Sequence, residues 1–234
     1  MPTREHSSKH YEQELLHLRE RVLAMGARVE RMVGGGMRAL VQRNEDLARE
    51  MIALDNEVDH DEQEIDELCL QLLAQRQPVA SDLRFITLCM KIVTDLERMG
   101  DLAVNLCERA MELMEEPLLK PLIDLPRMGD LAQQMVHTAL DSLIDGNVEQ
   151  ATKVLESDDA VDDLYEQIFR ELISFILEDP RTAKRAIGLL FAAKHLERIG
   201  DHATNIAEMV IFWVKGKDVR HGAGLAAENK TQGS

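Results

Sequence analysis

Four pairs of acidic residues recur in this sequence at a spacing of four: Asp55/Asp59, Glu97/Asp101, Asp158/Asp162 and Glu197/Asp201. On an α-helix, residues four apart stand one above the other on the same face, so each pair aims two carboxylates at one spot. Like charges in that relation destabilise an isolated helix by roughly a few tenths of a kcal/mol per pair. Something must offset the repulsion, and two readings are open. One is a solvated charged face with Arg98, Arg109 and Arg198 as ion-pair partners. The other is a carboxylate cluster that takes up hard cations, with Asp55/Asp59 facing Glu97/Asp101 across a helical bundle and Asp158/Asp162 facing Glu197/Asp201. All-oxygen ligands suit Mg²⁺, Ca²⁺, Mn²⁺ or a multinuclear iron cluster, and on grounds of softness not zinc.

Other chemistry finds little to hold. No Ser/His/Asp or Cys/His arrangement with a local signature is present, and there is no nucleotide-binding loop, so the sequence does not read as an enzyme. Gly34-Gly35-Gly36 is not followed by the Gly-Lys-Ser/Thr of a phosphate loop, and it reads as a weakened or kinked stretch of helix. Glu14-x-x-His17 and Glu57-x-x-His60 superficially match the di-iron bundle motif, but neither recurs in a partner helix. His60 and His202 have no counterparts in the other copy, which argues against a ligand role, and His195 reads as a core-edge residue. The cysteines Cys69, Cys89 and Cys107 lie singly among apolar residues, as reduced core thiols do, and point to the cytosol.

The chain has 234 residues, 43 of them acidic against 27 basic, for a formal net charge of −16. That balance excludes nucleic acid as a partner, because a phosphate backbone needs clustered Lys and Arg. The polar first ten residues do not read as a signal peptide, and no apolar run approaches the roughly 20 residues that span a membrane. A cytoplasmic protein is expected, peripheral to the membrane only through its partners. Aromatics make up 3% and there are only six prolines, a composition that favours an all-α fold.

The elements that must position the acids are duplicated. Met25-Gly26 returns as Met128-Gly129, Asn44 as Asn147, Ala48 as Ala151 and Val58-Asp59 as Val161-Asp162, all offset by 103 residues. Past Gln77-Pro78 the offset shortens to 100, and Leu96-Glu97-Arg98-Met99-Gly100-Asp101 matches Leu196-Glu197-Arg198-Ile199-Gly200-Asp201. Each copy reads as three helices. The first runs from about Tyr11 to Arg43, the second from an Asn44 cap to Gln77-Pro78, and the third from a Ser81 cap to Glu116-Pro117. In the second copy Gly146 fits the position after a helix, Asn147 the next cap, and Pro180 the first turn of the sixth helix. Two tandem three-helix bundles follow, over residues 11–117 and 118–215, with a flexible N-terminus at 1–10 and a flexible tail at 216–234. In the third helix Ile86, Met90, Val93, Glu97, Asp101, Asn105 and Glu108 form one stripe that turns from apolar to acidic halfway along. Ala186, Leu190, Ala193, Glu197, Asp201, Asn205 and Glu208 repeat it in the sixth. A second apolar stripe, Leu96, Met99, Ala103 and Leu106, makes these helices central.

These features together resemble the PhoU family of phosphate-transport regulatory proteins. The resemblance covers roughly Glu12 to Gly222 and rests on the tandem units, the acid-pair second helix and the Leu-Glu-Arg-x-Gly-Asp-x-Ala-x-Asn third helix. Arg76-Gln77-Pro78-x-Ala-Ser-Asp-Leu-Arg84 and Val214-Lys-Gly-x-Asp218 support it. It implies a cytoplasmic, often homodimeric protein that acts with the ATPase subunit of the phosphate ABC transporter and with a phosphate-sensing histidine kinase. Such proteins limit phosphate uptake and hold the starvation response off when phosphate is plentiful. Some carry metal clusters on the acid-x-x-x-Asp motifs, which here are Glu97, Asp101, Glu197 and Asp201, with Asp55, Asp59, Asp158 and Asp162 beside them. The alternative is a carboxylate-cluster protein that binds or stores metal without signalling.

Overall fold

The computed structural model describes residues 4–76 and 78–216, and among them there is no strand. The helices are α1 (Arg4–Gln42), α2 (Glu45–Arg76), α3 (Ala80–Met114), α4 (Asp124–Asp145), α5 (Val148–Glu178) and α6 (Ala183–Lys215), with a 3₁₀ turn at Pro180–Thr182 before the last. In each copy three helices run up, down and up against one another. No helix among the described residues is long and apolar enough to cross a membrane.

Most boundaries follow from local chemistry. Asn44 accepts from the backbone of Leu47, and Asn147 from Glu149 and Gln150, so both cap as expected. Gly146 ends α4 in the left-handed region at φ 59°. Asp179 caps the 3₁₀ turn that Pro180 opens, one turn ahead of α6 itself. Three expectations are corrected. α1 reaches back to Arg4, because nothing between Arg4 and Tyr11 stops a helix. Ser81 is not a cap: α3 starts at Ala80 after an extended Val79, and the Ser81 hydroxyl turns to Asp82. α3 also ends at Met114, two residues before the Glu116-Pro117 expected to close it. The tail beyond Gly216 lies outside the described residues.

The two copies are not separate bundles side by side, because one continuous core runs through both. Their junction follows the duplication. A β-carbon on Gly26 of α1 would lie 2.6 Å from Leu140 Cδ1 of α4, and one on Gly129 of α4 would lie 2.5 Å from Met37 Cγ of α1. Gly26 and Gly129 are repeat-related, as are Met37 and Leu140, so each copy places an apolar knob over the other's glycine. The Gly34–Gly36 run serves the same close packing and does not break α1. Side chains there would meet Gln133 of α4, Met51 of α2 and Cys107 of α3 in turn. The three cysteines are buried and unpaired, as expected.

Arg43 occupies the place that Gly146 holds in the second copy and is itself left-handed at φ 52°. A non-glycine residue there is strained by about 1 kcal/mol. The compensation is visible: its guanidinium donates to the carbonyls of Leu113 at 3.2 Å, Met114 at 2.6 Å and Glu116 at 2.8 Å, closing the open end of α3. Hydrogen bonds from a charged group are worth about 1.5–3 kcal/mol. Urea titration should therefore find Arg43→Ala destabilised by about 2–3 kcal/mol and Arg43→Gly by about 1 kcal/mol less, since glycine relieves the strain while losing the same bonds. Equal losses would mean that no strain is held at this position.

Candidate functional site

The glycine inside each Leu-Glu-Arg-x-Gly-Asp signature lies under a carboxylate of the facing acidic helix, tightly in the first copy and at ordinary contact distance in the second. A β-carbon on Gly100 would lie 3.2 Å from Asp55 Oδ1, and one on Gly200 would lie 3.7 Å from Asp158 Oδ1. The leading carboxylate of α2 or α5 thus lies over the signature glycine of α3 or α6. The structure thereby brings Asp55/Asp59 against Glu97/Asp101 and Asp158/Asp162 against Glu197/Asp201. In every pair the first member is half-buried and the second stands further out; Glu97 is 20% exposed and Asp101 47%. Below them the inner stripe of Leu96, Met99, Ala103 and Leu106 is fully buried and fixes the register of α3.

Crowding and partial burial work against ionisation. Burial pushes the Asp55 carboxyl above its usual range, and Asp59 and Asp101 push it further. Burial and then Asp101 raise Glu97, against an opposing pull from Arg98. In the second groove burial raises Asp158, followed by Asp162 and Asp201. Burial and then Glu197 raise both Asp162 and Asp201, although Asp201 is open on its outer side.

The cations differ from those the sequence suggested. Arg98 serves the acidic face, at 3.4 Å from Glu97 and 3.6 Å from Asp101. Arg109 lies two turns further along α3 and pairs with Glu112 instead. Arg198 is exposed, and no ion pair reaches it among the described residues. Its expected role has passed to Lys194, which donates to Glu197 Oε1. Sequence reasoning also missed Glu62, whose carboxyl is raised by burial and by Asp66 and Asp59 at the edge of the first groove. Glu62 and Lys194 have Tyr165 and Thr94 as repeat counterparts, so comparing what the copies share passes over both. The first groove is consequently richer in carboxylate, and the second carries a built-in ammonium. The histidines stay out of the grooves: His60 pairs with Glu64, and His202 bonds Asp95 at 2.7 Å across the two copies.

Among the described residues no three Asp, Glu, His or Cys side chains are gathered tightly enough to hold an ion as they stand. The donor chemistry nevertheless fits a hard cation. The ligands are oxygen only, burial and neighbouring carboxylates hold several of them back from ionising, and Glu197 Oε2 is buried with no hydrogen-bond partner.

Two consecutive segments, residues 22–110 and 125–210, each match the PhoU domain family model. This chain belongs to the PhoU family. Each matched segment spans one copy of the duplication and carries one acidic groove. The phosphate-specific transport system accessory protein PhoU homolog of Pseudomonas aeruginosa is 41% identical over 217 residues, covering 92% of this chain and 90% of that protein. The phosphate-specific transport system accessory protein PhoU of Escherichia coli K12 is 36% identical over 219 residues, covering 94% and 91%. The crystal structure of PhoU from Pseudomonas aeruginosa superposes with a TM-score of 0.86 at 40% identity, over 88% of this chain and all of that one. The phosphate transport system regulatory protein PhoU of Streptococcus pneumoniae gives 0.83 at 27% identity, over 89% and 99%. The PhoU architecture therefore accounts for both three-helix units and for their junction.

Proposed function

We propose that this chain is a cytoplasmic negative regulator of phosphate uptake and of the phosphate-starvation response. In this reading it works as an adaptor between the ATPase subunit of the phosphate ABC transporter and its phosphate-sensing histidine kinase, as a homodimer. The observation that carries the reading is the near full-length match to accessory proteins of phosphate-specific transport. A fold made of two similar helical faces suits an adaptor, since each copy offers a surface of its own.

A divalent cation or a small metal cluster would be held by Asp55, Asp59, Glu97 and Asp101 in the first groove and by Asp158, Asp162, Glu197 and Asp201 in the second. When bound, Mg²⁺, Mn²⁺, Ca²⁺ or iron supplies the positive charge the grooves lack. Glu97 and Asp101 then stay ionised and tie α3 to α2, and Glu197 and Asp201 tie α6 to α5. The first groove takes the cation more strongly, because Lys194 already neutralises part of the second.

Deletion of the encoding gene, followed by alkaline phosphatase assay in high phosphate, tests the regulatory reading. Expression should rise many-fold and return on complementation; fully repressed expression in the deletion strain sinks it. The raised groove carboxylates favour the second reading, metal storage without signalling, only if elemental analysis finds bound metal while the deletion leaves repression intact.

A further inference from the structure

Phe191 and Ile187 stand on the outer face of α6 with exposures of 49% and 45%, and Phe169 of α5 is exposed to 45%. Two of the chain's five phenylalanines are on this one surface. They are contiguous. Lys194 Nζ lies 5.3 Å from the Tyr165 ring centre, and Tyr165 packs against Phe169 at 6.5 Å. Because α5 and α6 are antiparallel, one turn along each from the Lys194–Tyr165 contact leads to Phe169 and Phe191. On the far side Arg109 of α3 lies 5.2 Å over the Phe191 ring. The surface runs on into a groove of about 370 Å³ between α3 and α6, lined by Leu113, Lys184, Arg185, Ile187 and Gly188 among others.

The duplication supplies an internal control. At the positions of Tyr165, Phe169, Ile187 and Phe191 the first copy carries Glu62, Asp66, Thr87 and Lys91. The same helices pack in the same way there with polar residues outward, so folding does not require the aromatic face. Exposed apolar patches that folding does not require mark binding surfaces. The charge is also local: Arg109, Lys184, Arg185, Lys194 and Arg198 border the face on a chain with a formal net charge of −16. Glu112, Glu115, Glu116 and Glu197 pair with four of these cations, while Arg198 is exposed and engaged by no ion pair among the described residues. An acid supplied by a partner would meet Arg198 without displacing an ion pair already made.

We propose that the α5–α6 face around Phe169, Ile187 and Phe191 docks an amphipathic helix of another protein, its apolar stripe on the aromatic residues and its acidic flank against Arg198. The spacing of four between Ile187 and Phe191, with the groove beside them, fits the i, i+4 stripe of a helix laid along the seam. This goes beyond the regulatory reading, which names partners but no face, and it stands or falls without reference to phosphate.

A photo-crosslinking amino acid, p-benzoylphenylalanine, placed at position 191 of the full chain in living cells tests it, with the same substitution at position 91 as the matched control. Mass spectrometry of the adduct should identify a segment of another protein with apolar residues every three to four positions and acidic neighbours. Arg198→Glu should lower the yield at least several-fold, and position 91 should give no such adduct. That segment, made as a labelled peptide, should bind the purified protein at least ten-fold more weakly after Ile187→Thr/Phe191→Lys. These are the first copy's own residues, and helicity and melting temperature should hold. Adducts with a second copy of the chain, with lipid or with a basic segment would overturn the proposal. So would no adduct, equal adducts from positions 191 and 91, or peptide binding indifferent to the double substitution.

Discussion

Replacing Arg21 and Arg28 together with methionine should cost about 4 kcal/mol of stability at pH 7, while Asp61→Leu should change it by no more than about 1 kcal/mol. Asp61 projects from α2 into the α1–α2 interface and is only 2% exposed. Arg21 donates to its Oδ1 at 2.8 Å, and Arg28 donates to its Oδ2. Both guanidiniums keep a second acid, Glu64 for Arg21 and Glu57 for Arg28, and both reach solvent at about 30% exposure. Removing the arginines leaves a carboxylate that has neither water nor a partner. Breaking a buried ion pair by removing one side of it costs about 3–5 kcal/mol. Asp61→Leu instead removes the buried charge and leaves each arginine its outer glutamate. The second copy already shows the substitution: Leu164 is buried at the equivalent position, with Asp124 and Leu131 in place of the arginines. Urea unfolding of both variants at pH 7 checks the claim. Equal losses from both would show that Asp61 is not held by this clamp.

The same comparison of copies explains what could be read from the sequence. The offset of 103 and then 100 residues, the Asn44 and Asn147 caps and the acidic faces were legible because each is a local pattern that occurs twice. Two occurrences separate a pattern from chance. What one copy carries alone was not legible. Lys194 beside Glu197, Glu62 at the first groove and the Asp61 clamp have no counterparts, so no symmetry announced them. The Gly34–Gly36 run failed for a different reason. A glycine's cost to its own helix is a local quantity, whereas its use here lies in Gln133, Met51 and Cys107, which belong to three other helices. The shared core is also non-local, since the partners Gly26 and Leu140 are far apart in sequence and meet only once the copies have packed. Ser81 shows the converse error: a good capping residue type two positions too late, where Val79 had already turned the chain into α3.

The largest effect of the grooves themselves should appear in how stability follows pH without metal. For Asp55, Glu97, Asp158, Asp162 and Asp201 the folded pKa lies above the ordinary value, chiefly through burial and then through neighbouring carboxylates. As pH rises from about 4, the unfolded chain releases these protons first and so binds fewer than the folded chain. Stability tied to the groups is therefore fully present below their unfolded pKa and is lost as pH climbs through the raised values. His137, raised by its hydrogen bond to Glu30, adds a loss of the same sign near neutrality. Glu14 and Asp179 act oppositely, because Arg76 and Arg181 lower their pKa, and so does His195, which burial lowers; against them stand six raised carboxylates, Glu62 included. The chelated protein should accordingly melt at a higher temperature near pH 5 than near pH 8. Millimolar Mn²⁺ should reverse the slope, since a cation favours the ionised carboxylates and its affinity grows as they lose protons. Asp55→Asn/Asp158→Asn, which removes the half-buried acid over each signature glycine, should flatten the chelated profile and weaken the response to Mn²⁺. Scanning calorimetry from pH 5 to pH 8, with EDTA or Mn²⁺, reads both. A chelated profile that rises with pH, or one that the double substitution leaves unchanged, would mean that the facing carboxylates are balanced by the cations already beside them.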